Sequence, residues 1–240
     1  MDKKTHVVVN EPEISVRYLA DYMAASERRR RTIVEGCKYR PLARLLQHKE
    51  ARISIARAIH KGEATPQAMK ERADNIRAKM TTDDFDALTN EANADYVQRF
   101  SEVVAGIELP VAEILRGRAF PVIKIHKVKV TFSPNLLLRR LTKTNKLKRG
   151  ALMLRYAKGK PLDVVVGAFQ SAAIFGLLRE FDDEDGAEPE KGLCITLDAH
   201  SGTWHPAPGA SVSMFANMKA ACQSIGERWP NVPPPDGAAL

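Results

Sequence analysis

Residues 121–132 read PVIKIHKVKVTF, and the chain changes its period there. Ile123 and Ile125 alternate with Lys124 and His126, then Val128, Val130 and Phe132 alternate with Lys129 and Thr131. Alternation of this kind places one set of side chains on each face of a β-strand. The parity slips between the two runs, which predicts a bulge near Lys127. One face of the strand is basic.

Upstream, apolar residues recur at three- and four-residue steps. Ser15 fits the N-cap of a helix running to about Glu35, with Val16, Leu19, Met23 and Val34 on one stripe and Gly36 as terminator. Pro41 opens a second helix that ends before Gly62; Leu42, Leu45, Leu46, Ile53, Ala56 and Ile59 form its apolar side, and Arg44, His48, Arg52 and Lys61 a basic one. A third helix spans Pro66 to Met80. The fourth is capped by Thr82, Asp83 and Asp84 and carries Phe85, Leu88, Ala92, Tyr96, Phe100 and Val103. A short helix is expected within Pro110–Gly117.

Downstream, residues 133–150 (SPNLLLRRLTKTNKLKRG) read as a turn of helix at Leu136–Leu138 followed by an exposed loop. Ala151–Ala157 is a second strand, ended by Gly159-Lys160-Pro161. Val164–Phe181 is apolar nearly all round, as a helix buried against a sheet would be. After an acidic loop, Asp182–Glu190, Leu193–Leu197 and Thr203–Pro206 form a hairpin. A last helix begins at Ser211 or Ser213 and carries Met214, Phe215, Met218, Cys222, Ile225 and Trp229. The expected fold is α+β: an N-terminal helical bundle followed by a small, mostly antiparallel sheet packed with two helices. Domain boundaries fall at 1–109 (helical) and 110–230 (α+β), with 231–240 a disordered tail.

Charge is unevenly distributed. Residues 1–62 hold 14 basic and 7 acidic side chains, residues 63–113 hold 5 and 11, residues 114–162 hold 14 and none, and residues 163–240 hold 4 and 11. The acid-free block contains Arg116, Arg118, Lys124, Lys127, Lys129, Arg139, Arg140, Lys143, Lys146, Lys148, Arg149, Arg155, Lys158 and Lys160. Cations this dense attract polyanions, most commonly a nucleic-acid backbone. The competing reading pairs them with the acidic blocks on either side and leaves an ordinary surface.

Other classes find less support. The longest weakly polar run, Val164 to Leu178, is broken by Gly167, Gln170, Ser171 and Gly176 and is too short for a membrane span. MDKKTHVVVN lacks the apolar core of a signal peptide, so a cytoplasmic location is expected. Cys37, Cys194 and Cys222 are an odd number without CxxC spacing, which disfavours a disulfide framework and a zinc ribbon. There is no GxGxxG and no GxxxxGK[ST], so no cofactor is called for. Asp198, His200, Ser201 and His205 are the densest polar cluster outside the basic block, but D-x-H-x4-H is not a recognised ligand spacing. A metal-dependent nuclease would need converging carboxylates, for which only Glu108, Glu113 and Asp163 flank the strands, with Asp198 further on.

The expectation is therefore a non-enzymatic nucleic-acid-binding protein, or a subunit of a nucleic-acid complex, contacting the backbone of duplex DNA or structured RNA. Its contacts would be Lys124, Lys127, Lys129 and Arg155 on the strands, with Arg139, Arg140, Lys143, Lys146, Lys148 and Arg149 as a mobile arm that orders on binding. The competing class is a protein–protein or self-associating module using its complementary charged blocks. A degenerate nuclease core is the third reading.

Overall fold

A computed structural model describes residues 5–42, 48–81, 83–182 and 185–239. It is a mixed α+β structure in which seven α-helices and three sheets are found among the described residues. The strands are β1 (His6–Val8), β2 (Glu13–Ser15), β3 (Tyr39–Pro41), β4 (Glu113–Arg116), β5 (Ile123–Ile125), β6 (Val128–Thr131), β7 (Leu136–Leu141), β8 (Leu147–Arg155), β9 (Glu188–Asp198) and β10 (Trp204–Pro206). The helices are α1 (Val16–Ala24), α2 (Glu27–Lys38), α3 (Lys49–Lys61), α4 (Pro66–Arg77), α5 (Asp84–Val103), α6 (Val164–Glu180) and α7 (Ser211–Arg228). The largest sheet runs β10-β9-β8-β7-β4; only β8 and β9 are parallel, joined through α6. A second sheet orders β2-β6-β5, and β1 pairs with β3 in a third.

Period-2 alternation in the central strands builds two cores. Leu136 and Leu138 of β7, Leu152 and Leu154 of β8, and Leu193, Ile195 and Leu197 of β9 face α3, α4 and α5. Their neighbours Ala151 and Cys194 face the other way, against α1, α2, α6, α7 and the three-stranded sheet. Strands buried on both faces are what a parallel β-α-β unit requires. The first-half helices therefore do not form one bundle: α1 and α2 join the second-half elements in one core, while α3–α5 cover the opposite face of the sheet.

Several local expectations are met. Asp83 caps α5 by accepting from Asp86 N at 2.8 Å, Thr65 caps α4 from Ala68 N at 3.2 Å, and Gly62 closes α3 in the left-handed conformation (φ 70°). The buried helix and the β9–β10 hairpin lie where periodicity put them.

Others are corrected. The first helix breaks at Ala25 and Ser26, both extended, and Gly36 lies inside α2 rather than ending it. Pro41 ends β3 and Leu42 after it is helical, residues 43–47 lie outside the described residues, and the helix that reaches Lys61, α3, starts at Lys49. The expected bulge at Lys127 is a hairpin turn: His126 (φ 47°) and Lys127 (φ 67°) are both left-handed, which matches the twist of two antiparallel strands, β5 and β6. The helix expected in Pro110–Gly117 is β4, recruited as an edge strand by pairing with β7. Leu136–Leu138 belongs to β7 rather than a helical turn. Residues 139–149 are accordingly no mobile arm. They form the β7–β8 hairpin, closed by Thr142 N to Lys146 O (2.9 Å) and Lys146 N to Thr142 Oγ1 (3.0 Å), with Asn145 left-handed. Arg44, Leu45, Leu46 and Thr82 lie outside the described residues. The C-terminal segment is tied down: Lys38 Nζ donates to the carbonyls of Trp229 (2.8 Å) and Val232 (3.0 Å), and Thr5 N to that of Ala239 (3.0 Å).

Gly150 sits at the register shift between β8 and β9, where an added Cβ would lie 2.1 Å from the Leu193 carbonyl oxygen. Backbone cannot yield there as a flexible side chain would. Gly150→Ala should destabilise the fold by about 1–3 kcal/mol in urea unfolding, and an unchanged midpoint would show that the strands part without cost.

Candidate nucleic-acid interface

The β7–β8 hairpin brings basic residues beside the acidic segment that begins β9. Lys148 is in register with Glu188 and bonded to it, Arg140 makes a bidentate pair with Glu190, and Arg139 pairs with Asp185. Arg149 turns inward and donates to the Leu178 carbonyl at 2.8 Å and to that of Phe181, closing the C-terminal end of α6. Lys158 pairs with Asp95 of α5, and Lys129 with Glu11 at 3.0 Å, which holds the Glu11 carboxyl below its usual range. Exposed pairs such as these stabilise by about 0–1 kcal/mol each, but they cancel the local field. Of the residues expected to meet phosphate, Lys124, Lys127, Lys143 and Lys146 form no ion pair among the described residues. Lys124 and Lys127 lie on the β5–β6 hairpin, Lys143 and Lys146 at the tip of β7–β8.

Arg155 is not at the surface. It projects from the carboxyl end of β8 toward α6, where it pairs with Asp21 and donates to Gln170 Oε1 (3.1 Å) and the Arg17 carbonyl (3.3 Å). Its burial reflects strand parity: Leu154 and Tyr156 face α3–α5, so Arg155 faces the other side. The charge of Arg17 on α1 acts on Arg155 and also on Arg52 of α3. Burial and the Arg17 guanidinium lower the pKa of both Arg155 and Arg52 from the ordinary guanidinium value. Tyr96 of α5 stacks on Tyr156 at 4.2 Å, and burial pushes its phenol far up.

A cavity of about 270 Å³ opens between α3 and the β4–β7 end of the sheet. Arg52, Arg57 and His60 line it from α3, Arg116 from β4, and Gly117, Pro134 and Asn135 from the adjoining backbone, and no acid is in the lining among the described residues. Among the described residues Arg57 and Arg116 form no ion pair, and the Arg52 Nε bond goes to the His48 carbonyl (3.2 Å). His60 Nδ1 donates to the Ile114 carbonyl at 2.9 Å, since a carbonyl can only accept. Gly117 lets the chain pass close to Pro134, whose carbonyl oxygen lies 2.0 Å from where a Cβ would stand. Arg116 belongs to the acid-free block and Arg52 to the basic helical face, both visible in the sequence. Arg57 and Arg17 give no signal of their own there, because what gathers them is tertiary packing.

The other candidate residues have structural partners. Asp198 accepts from Leu162 N (2.9 Å), His200 N (3.0 Å) and Ser201 Oγ (2.6 Å), which organises the β9–β10 turn. Asp163 caps α6 through Val165 N at 2.7 Å, and Glu113 lies on β4 opposite Arg139. Among the described residues no three His, Cys, Asp or Glu side chains gather closely enough to hold a metal. Burial pushes the Cys194 and Cys222 thiols up to about 12, so both stay protonated. No helix among the described residues is long and apolar enough to cross a membrane. In comparisons with known proteins, the chain matches no family model and no curated relative.

Asp21→Asn leaves Arg155 buried without its carboxylate and should cost about 3 kcal/mol in chemical denaturation; a change within experimental error would mean that Gln170 and the Arg17 carbonyl suffice. Burial lowers the His205 pKa from 6.5, so the folded state holds it neutral while the unfolded state protonates. The stability this confers is present above about pH 6.5 and declines as pH falls through that value. The thermal midpoint should therefore decline between pH 7 and 5, with a smaller decline in His205→Gln; identical profiles would remove His205 as the cause.

Proposed function

We propose that this chain is a non-enzymatic nucleic-acid-binding protein, or a subunit of a nucleic-acid complex, that grips the phosphate backbone of duplex DNA or structured RNA. One observation carries the reading: Arg52, Arg57, His60 and Arg116 share a single cavity whose lining holds no acid, and Arg57 and Arg116 have no ion-pair partner among the described residues. An arginine presents a planar fork of donors that matches two phosphate oxygens, so an unpaired group of them is suited to that ligand. The cavity replaces the β7–β8 hairpin as the principal contact, because Arg139, Arg140 and Lys148 already meet carboxylates of their own chain. Lys124 and Lys127 on the second hairpin add further positive surface. Self-association through complementary charged blocks draws less support, since Arg139, Arg140, Lys148 and Lys158 already pair with acids of the same molecule. Base reading is not part of the proposal: the contacts are to backbone, which fixes position rather than sequence.

The test is fluorescence anisotropy of a labelled duplex against salt concentration. Arg57→Ala with Arg116→Ala should weaken binding at least tenfold at low salt. The double variant should also flatten the slope of log affinity against log salt by about 2, near 0.9 for each phosphate that is no longer neutralised. Arg140→Ala with Lys148→Ala should change both far less. Equal effects of the two double variants, or none from the first, would remove the cavity from the interface.

A further inference from the structure

The carboxyl ends of β8 and β9 open a second place of interest, at Arg155 and Asp198 where the only parallel pair of the large sheet stops. Crevices outside the carboxyl ends of parallel strands are where open α/β sheets bind ligands, since helices flank them on both sides. Here α1 contributes Arg17, α3 Arg52 and α5 Tyr96, while Arg155 rises from β8 and Gln170 from α6. Arg155 donates to the Arg17 carbonyl and to Gln170 Oε1, Arg52 donates to the carbonyl of His48, and the His48 ring meets the edge of Tyr96, which stacks on Tyr156, the residue after Arg155.

Three donors in this group are enclosed and unused. Among the described residues, Arg17 Nε, Gln170 Nε2 and the Tyr96 hydroxyl have no hydrogen-bond partner, and Tyr96 and Gln170 are 1% and 0% exposed. A buried donor without a partner is costly, and native proteins leave few of them. Charge is unbalanced in the same sense. Asp21 answers one of the three guanidiniums, and the Asp198 carboxylate is bonded to Leu162 N, His200 N and Ser201 Oγ. The Asp198 carboxylate keeps its own charge, so three guanidiniums face two carboxylates; one positive charge and three idle donors remain, which suits a tetrahedral oxyanion with several acceptor oxygens better than a single carboxylate.

We infer that this crevice binds a phosphate monoester or inorganic phosphate, contacted by Arg17, Arg52 and the Tyr96 hydroxyl and backed by Arg155 and Gln170. Arg17 is only half-buried, which gives the anion its entry from the α1 side. The inference does not rest on duplex binding, whose outer residues Arg57 and Arg116 are untouched by the variants below.

The experiment is thermal unfolding of the full chain with inorganic phosphate, at ionic strength held constant with sodium chloride. Phosphate at about ten times its Kd should raise Tm by about 3–6 °C. Arg17→Gln should abolish the rise, and Tyr96→Phe, which removes one unpartnered hydroxyl and keeps the ring stack, should weaken phosphate at least fivefold. Should Arg17→Gln fail to fold, Tyr96→Phe alone decides. No rise beyond the chloride control, or an undiminished rise in Tyr96→Phe, overturns the site. A duplex bearing 5′-phosphates that binds more tightly than its 5′-hydroxyl counterpart assigns the site to a nucleic-acid end; equal binding of the two, with the phosphate rise intact, assigns it to a small free ester.

Discussion

The parallel pairing of β8 with β9 governs most of this molecule. Two parallel neighbours cannot be joined by a tight turn, so the chain between them makes a crossover, and α6 supplies it. A crossover helix covers one face of the sheet and leaves the other needing an equivalent cover. The α3–α5 group takes that second face, because Leu152, Leu154, Leu193, Ile195 and Leu197 would otherwise meet water. Helices α1 and α2 are thereby left to the α6 side, although they come first in the chain. Chain order and spatial order part company for this reason. A boundary drawn near residue 109 separates α1 from the α6 it packs against.

The same pairing explains the charge pattern. The acid-free block supplies β7 and β8, and the following acidic block supplies the start of β9, so register alone sets Lys148 against Glu188 and brings Glu190 to Arg140. Part of what looks along the sequence like an unopposed basic run, Arg139, Arg140 and Lys148, meets the acidic segment that begins β9. Each exposed pair adds little to stability. Their combined effect is to reduce the positive charge at the base of the hairpin, while Lys143 and Lys146 at its tip form no ion pair among the described residues. Arg57 and Arg116 keep their charge available because the cavity between α3 and the outer end of β4 is lined by no carboxylate.

How much was legible in the sequence follows from how local each determinant is. α5, α6 and α7 have capping residues or apolar stripes within a few positions of one another, and they stand where those signals put them. β4 and the start of β7 carry no such signal. Val-Ala-Glu-Ile-Leu-Arg and Asn-Leu-Leu-Leu-Arg-Arg suit a helix as well as a strand, and only their pairing with each other settles the matter. The His126–Lys127 turn was disguised for another reason: left-handed turn positions usually hold Gly or Asn, and neither is present. Of the functional candidates, Arg52 and Arg116 could be marked by charge patterning. Arg17 could not, since it is a single cation on an amphipathic helix and only the tertiary fold sets it beside Arg155.

Arg155 joins the structural and the chemical halves of the molecule. Strand parity obliges the residue between Leu154 and Tyr156 to point toward α6, a position where an apolar side chain would pack without penalty. A guanidinium there must be desolvated, and the resulting cost is met by Asp21, Gln170 and a main-chain carbonyl. Replacing a buried ion pair with well-packed hydrophobes is often neutral or stabilising, so stability alone gives no reason for arginine at this position. The Arg17 charge makes matters worse in energy terms, because it opposes the charges of both Arg155 and Arg52, and the buried Gln170 and Tyr96 keep donors that nothing among the described residues receives. A fold that carries such an arrangement at the open end of its only parallel strand pair in the large sheet is spending stability where ligands are received in sheets of this kind.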